Sequence, residues 1–216
     1  MAIITQNHIA EGAALVVSLL CWPKIKKGKL KTLPFFLAFI LLVELTGSYL
    51  SRVIRINNVW LYNFSIPLEY AYCFFLFWLH SGQLLKRIIQ FCWVILLAVG
   101  VYYFIKEPIN QFHSYVLVAG ELLVVMSFCI YIYKLFDEAE DFPLWKRYFF
   151  WMASGLFLFN LGEMVYFVLH PLIRSNDWDR LNFWFKTINN NLLLFLYLSY
   201  AISCLIYYKY ASIKTT

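Results

Sequence analysis

Four glutamates lie in the middle of long apolar segments, where ionisable side chains are rare. They are Glu44, Glu69, Glu121 and Glu163. A charge at the centre of a bilayer costs about 2.5–3.5 kcal/mol on insertion scales unless it faces other helices or water. Carboxyl groups in such positions accept hydrogen bonds from a polar ligand, or take up and release protons. Because all four lie about seven to ten residues from the same predicted membrane surface, we expect them to meet in one interior site.

Further polar side chains at this depth are suited to orient the carboxyl groups. Asn160 lies one helical turn from Glu163 and therefore on the same helix face. Three other asparagines lie near the outer ends of their segments, and an arginine at the expected mouth would balance negative charge. The predicted ligand-binding or proton-titrating residues are Glu44, Glu69, Glu121, Glu163, Asn63, Asn160, Asn189, Asn190 and Arg52.

A purely structural role for these residues is the main alternative. Buried glutamates and asparagines hold membrane helices together through hydrogen bonds, each worth roughly 0.6 kcal/mol on average. That explanation suffices for one or two carboxyl groups. Four at similar depth, with the asparagine run 189–191 at the same level, favour a shared site.

Seven apolar segments carry these residues. Of the 216 residues, 62% are apolar or aromatic and 14% are charged, whereas soluble domains have about 45–50% and about 25%. Each segment can cross a hydrocarbon core of about 30 Å as a helix, and none shows the alternation of barrel strands. The sequence predicts an all-α integral membrane protein, a single seven-transmembrane helical bundle (1–216) with spans at about 3–22, 33–54, 61–80, 88–105, 112–136, 148–170 and 184–208.

The basic residues indicate the orientation of this bundle. Twelve lie in segments expected on one side of the membrane, five of them between residues 24 and 31, and six lie on the other side. The positive-inside rule then predicts a multi-pass membrane protein with its N-terminus outside and its C-terminus in the cytoplasm. Because the basic residues serve as topology signals, we expect no nucleic-acid partner.

Familiar intramembrane chemistries fit the sequence poorly. A retinal-binding pump needs a Schiff-base lysine in the middle of span seven, but Lys186 lies near the outer edge. A zinc hydrolase needs histidines at ligand spacing. His8, His113 and His170 lie near the outer boundary, yet no His-x-x-x-His pair occurs. We therefore expect no metal and no cofactor, and the sequence favours a non-enzymatic role.

A transporter is the second hypothesis. Divided as three plus one plus three helices, the chain gives parallel halves whose first helices each hold a glutamate (Glu11, Glu121) and whose third helices open with asparagine (Asn63, Asn189). Parallel repeats around a midplane site occur in some carriers. A proton-coupled carrier of a small polar solute is thus an open alternative, and an enzyme acting on lipid headgroups is a third.

A resemblance adds to the sensory hypothesis. The residues that carry it are the run 44–50, Asn58, the segment 61–63, Glu69-Tyr70, Asn160 and the run 189–193. With them the chain resembles uncharacterised bacterial seven-helix membrane proteins, some of which look like stand-alone versions of the membrane sensory modules attached to histidine kinases. The resemblance implies a sensory role and a location in a bacterial inner membrane. Our leading hypothesis is a protein in the lipid bilayer that binds a small polar ligand or protons in an outward-facing cavity and signals to a protein partner.

Overall fold

The computed structural model describes residues 4–137, 143–175 and 183–210, and within these ranges it consists of helices and turns without a strand. In the described part, seven long helices coincide with the seven predicted segments, and a four-residue helix follows the first. The helices are α1 (Gln6–Leu20), α2 (Trp22–Ile25), α3 (Leu33–Tyr49), α4 (Val59–Leu79), α5 (Gln83–Lys106), α6 (Ser114–Asp137), α7 (Tyr148–Ser175) and α8 (Phe183–Tyr210).

Local sequence explains several helix ends. Pro23 and Pro34 lie in the first turns of α2 and α3, where the missing N–H would have no helical partner. Helix α3 continues as a π-helical turn over Leu50–Ile54 and stops at Arg55, whose φ of 61° is left-handed. Helix α5 begins at Gln83 and not at residue 88 as predicted, because polar helix-forming residues extend it beyond the apolar run.

Six of the helices form a closed ring. Helix α1 packs between α3 and α8, and contacts continue from α8 to α7, from α7 to α6, from α6 to α4 and from α4 back to α3. Helix α5 lies outside this ring against α4 and α6. The arrangement gives the six ring helices one face toward a common interior, whereas most of α5 faces outward.

The outward faces of the helices are more apolar than the surface of a water-soluble protein. On α5, Leu84 is 74% exposed and Ile105 is 82% exposed, and similar side chains cover the outside of α3, α6 and α8. Contiguous apolar surface of this extent is typical of contact with lipid. The five helical segments long and apolar enough to cross a membrane are Leu33–Ile54, Gln83–Lys106, Ser114–Phe136, Tyr148–Leu169 and Lys186–Tyr210.

These five segments indicate a multi-pass helical membrane protein. Helices α1 and α4 are not among them. Helix α1 has 15 residues and is about 22 Å long at 1.5 Å per residue, which is shorter than a hydrocarbon core of about 30 Å. The count of seven spans and their orientation therefore stay predictions.

The two ends of the bundle differ in chemistry. At one end, the polar end, Asn7 Nδ2 of α1 donates to Asn190 Oδ1 of α8 over 3.0 Å. At the other, the basic end, Lys24 Nζ donates to the Tyr208 carbonyl over 2.7 Å. The connection after α1 lies at the basic end, and five of the twelve lysines of the chain fall between residues 24 and 31. Two of the basic residues on which the predicted membrane orientation depends, Arg180 and Lys214, lie outside the described residues.

Close approach of α4 and α6 depends on a glycine. A Cβ at Gly120 would overlap the ring of Tyr70, which is 7% exposed, whereas a Cβ at Gly100 on α5 would meet nothing within 4 Å. We expect Gly120→Ala to lower the free energy of unfolding by about 1–3 kcal/mol through overpacking. The matched change Gly100→Ala should raise it by up to about 1 kcal/mol, since alanine is the better helix former. Thermal unfolding of both purified variants measures this, and equal effects would contradict the packing.

Candidate functional site

A cavity of about 460 Å³ lies inside the helix ring. All six ring helices supply side chains to its wall, and Phe112 before α6 adds another. We call this space the central cavity. The polar and tyrosine side chains of its wall are Asn7, Glu11, Glu44, Tyr62, Glu69, Tyr70, Asn160, Glu163, Asn189, Tyr197 and Tyr200.

The structure brings together five of the nine side chains singled out from the sequence. These are Glu44, Glu69, Glu163, Asn160 and Asn189. They come from α3, α4, α7 and α8, so depth within each segment was a useful guide to their common location. Whether they bind a ligand stays a prediction. The remaining four do not line the cavity. They are Glu121, Asn63, Asn190 and Arg52.

Glu121 lies behind the wall. It is fully buried, and its carboxyl group faces that of Glu163. Neither Glu121 carboxyl oxygen accepts a hydrogen bond from another group of the described chain. Because two carboxylates have only acceptors to offer each other, this contact is favourable when the pair holds a proton. Glu121 therefore contacts the site through Glu163.

Asn63 holds a loop and does not line the cavity. Its Nδ2 donates to the carbonyls of Ile109 and Gln111 over 2.9 and 2.7 Å. Its Oδ1 accepts from the His113 backbone N–H over 3.1 Å. The asparagine is 5% exposed and fastens the connection between α5 and α6 to the start of α4. The structure thus gives it a positioning role different from the predicted one.

Asn190 and Arg52 lie at the periphery. Asn190 accepts the hydrogen bond from Asn7, and Asn7 is the partner that reaches the cavity wall. Arg52 lies on the π-helical turn that follows α3 and is exposed. Arg52 is not a lining residue of the central cavity.

Glu11 belongs to the cavity wall, although it is not among the nine residues predicted to form the site. In the structure Glu11 is 2% exposed and lines the cavity, as does Tyr197 of α8. A signal was present in the sequence: the buried residues of α1 are His8, Glu11, Ala14 and Ser18, which is the spacing of one helix face. A polar face on an otherwise apolar helix predicts that this face points toward the interior of the bundle.

Glu44 is positioned by a neighbouring helix. Tyr62 Oη of α4 donates to Glu44 Oε2 over 3.2 Å. The tyrosine hydroxyl also lies against Gly47, where a Cβ would approach it to 2.6 Å. Glycine one turn beyond Glu44 therefore leaves the space through which Tyr62 reaches the carboxyl group. This contact fixes the direction of the Glu44 side chain toward the cavity.

Aromatic packing closes the cavity toward the basic end. Tyr200 and Cys73 are among its deepest wall residues, and below them Phe77 and Phe149 pack edge to face with ring centroids 5.4 Å apart. His80 stacks on Phe149 at 3.8 Å. The basic half is thus a densely packed aromatic core, and the polar half holds the cavity.

The wall is not arranged as a metal site. Within the described ranges, no group of three or more His, Cys, Asp or Glu side chains is placed to hold a metal ion. His8 Nδ1 accepts from the Thr5 backbone N–H over 2.9 Å in the cap of α1. His113 lies in the loop held by Asn63, and the side chain of His170 is outside the description. The cysteines of the described chain are all free thiols.

Comparison with known proteins adds no relative. No family model matches the chain, and neither the curated proteins nor the solved structures give a match. The fold and the cavity themselves define the class: a multi-pass helical membrane protein with an acidic interior cavity.

The loop contact of Asn63 gives a testable consequence. Asn63→Ala removes three hydrogen bonds from a buried position and leaves backbone groups of the loop without partners. We expect the free energy of unfolding to fall by about 2–4 kcal/mol, with faster hydrogen exchange in residues 107–113. The control is Asn57→Ala, which removes an exposed side chain bonded to the carbonyl of Asn110 in the same loop. Equal stability and unchanged exchange in Asn63→Ala would contradict the assignment.

The contact between Glu121 and Glu163 gives another. In Glu121→Gln, an amide N–H can donate to the Glu163 carboxylate without a shared proton. We expect this isosteric change to raise the free energy of unfolding by about 1 kcal/mol at pH 7, measured by thermal unfolding. Glu107→Gln, in the loop after α5, should have no effect. A clear loss of stability in Glu121→Gln would show that the two carboxyl groups are not in contact.

Proposed function

We propose that this chain is a seven-span inner-membrane protein, with its N-terminus outside and its C-terminus in the cytoplasm, that senses a small polar ligand or protons bound in the central cavity. The observation that carries the proposal is the wall of that cavity. Four different helices, α1, α3, α4 and α7, each place one glutamate in it. Binding would lie in this wall, and the signal would pass to a protein partner by helix movement.

The dimensions of the cavity support ligand binding. Its volume of about 460 Å³ falls in the range of about 300–1,000 Å³ that is usual for small-molecule sites. An occupant that touches several of the glutamates contacts several ring helices at once. Since a ligand shifts a conformational equilibrium through its different affinity for the two states, contacts to separate helices are suited to change their packing.

The charge asymmetry supports the outward direction. Lysines cluster at the basic end, which the positive-inside rule assigns to the cytoplasm. The cavity occupies the opposite half, so its ligand would come from outside. The aromatic packing around Phe77 and Phe149 favours a binding site over a transport pathway, because a carrier needs a route for its solute through the basic half as well.

A stability screen tests the proposal. The purified full chain is heated over a range of pH and with a library of metabolites, beside Glu163→Gln and the control Glu107→Gln. We expect at least one condition to stabilise the wild type and the control, by about 2.7 kcal/mol for a ligand at 100 times its Kd, and to have little effect on Glu163→Gln.

If no condition separates Glu163→Gln from the control, the central cavity is not a binding site. Sealed proteoliposomes provide the second readout. Accumulation of the stabilising solute inside them would identify a carrier and contradict the sensory role.

A further inference from the structure

The central cavity is one-sided in charge. Four glutamates lie in its wall, and none of the described residues that line it is a lysine, arginine or histidine. The cationic side chain predicted at the mouth, Arg52, is not a wall residue either. The part of the wall that the structure describes thus contains groups that attract a positive charge and supplies no positive charge of its own.

The buried atoms of the described wall that lack a hydrogen-bond partner are all acceptors. Three buried wall atoms accept no hydrogen bond from any described residue: Glu11 Oε2, Asn160 Oδ1 and Asn189 Oδ1. Glu11 and Asn160 are each only 2% exposed. The Asn160 amide cannot be turned over without loss, since its Nδ2 donates to the Leu156 carbonyl over 2.7 Å. All three atoms are acceptors, so the matching occupant is a donor.

Aromatic rings form much of the remaining wall. Eight of the 22 lining residues are phenylalanine or tyrosine, and aromatic faces attract ammonium groups. Leucines of α7 and α8 fill the wall between them. Such a surface accommodates an apolar body as well as a charged group.

A bare metal ion does not fit this arrangement. In the part of the chain that the structure covers, the acidic side chains are too dispersed for any three to share one ion. A larger cation can reach separate carboxyl groups while its apolar part contacts the rings. Donors, positive charge and an apolar body are combined in a protonated amine.

We propose that the central cavity binds an organic amine in its protonated form, with the N–H donors directed to the acceptors of Glu11, Asn160 and Glu163 and the carbon skeleton against the aromatic wall. This proposal rests on the proposed function and names the ligand class of the same site. It distinguishes a primary or secondary ammonium group from a quaternary one, which has no N–H to donate.

Probes that differ only in their headgroup test it. Benzyl and n-hexyl compounds with ammonium, trimethylammonium, hydroxyl and carboxylate headgroups are titrated calorimetrically into the purified full chain at pH 7, with detergent micelles as the blank. We expect the ammonium compounds to bind most tightly. In Glu11→Gln and Glu163→Gln their affinity should fall about tenfold or more, while Glu107→Gln binds like the wild type. Size-exclusion chromatography confirms folding of each variant.

Each other result overturns the amine proposal. Equal or tighter binding of the trimethylammonium compound excludes the donor role, and equal binding of the alcohol or carboxylate excludes the charge role. Absence of binding by all probes also counts against it. If a neutral or anionic probe binds and Glu163→Gln abolishes this binding, the cavity remains a ligand site of another class. If the stability screen also fails to separate Glu163→Gln from the control, the proposed function fails as well.

Discussion

A carboxyl group inside a bilayer must face protein or water, and this constraint governs the arrangement of the chain. It directs the glutamates of α1, α3, α4 and α7 into one ring of helices. Each of these helices is thereby fixed in rotation about its own axis, because its apolar residues must then point outward. Helix α5 has no carboxyl group between Gln83 and Lys106. It lies outside the ring, with Leu84, Leu97 and Val101 exposed.

The helices themselves could be predicted from composition and segment length. Bounds such as 184–208 agree with Phe183–Tyr210, because the polar stretches between apolar runs are short and mark the turns. The neighbour relations could not be predicted, since hydrophobic periodicity says which face is buried but not against which helix. The π-helical turn over Leu50–Ile54 could not be predicted from the sequence either, because it depends on the hydrogen bonding of the backbone.

The candidate site was partly predictable for a definite reason. Depth in the membrane is nearly a linear function of residue number, so Glu44, Glu69 and Glu163 could be placed at one level from the sequence. The contacts across the polar end could not be predicted in this way. Asn63 was expected among the carboxyl groups but bonds a loop, and that loop is distant in sequence. Glu11 was not among the predicted site residues, although it lies on the buried polar face of α1 with His8 and Ser18.

The side chains of the two halves of the ring differ in polarity, and this difference explains why the basic half is densely packed and the polar half contains a cavity. Around Phe77 the interior side chains are aromatic and apolar, so they can touch each other directly. In the polar half, Glu11 Oε2 and Asn160 Oδ1 are acceptors without donors in the described chain. Closing the helices there would press acceptor against acceptor, which costs more than the contact gains. The wall is therefore compatible with an open interior, and a donor from outside the chain would let it close.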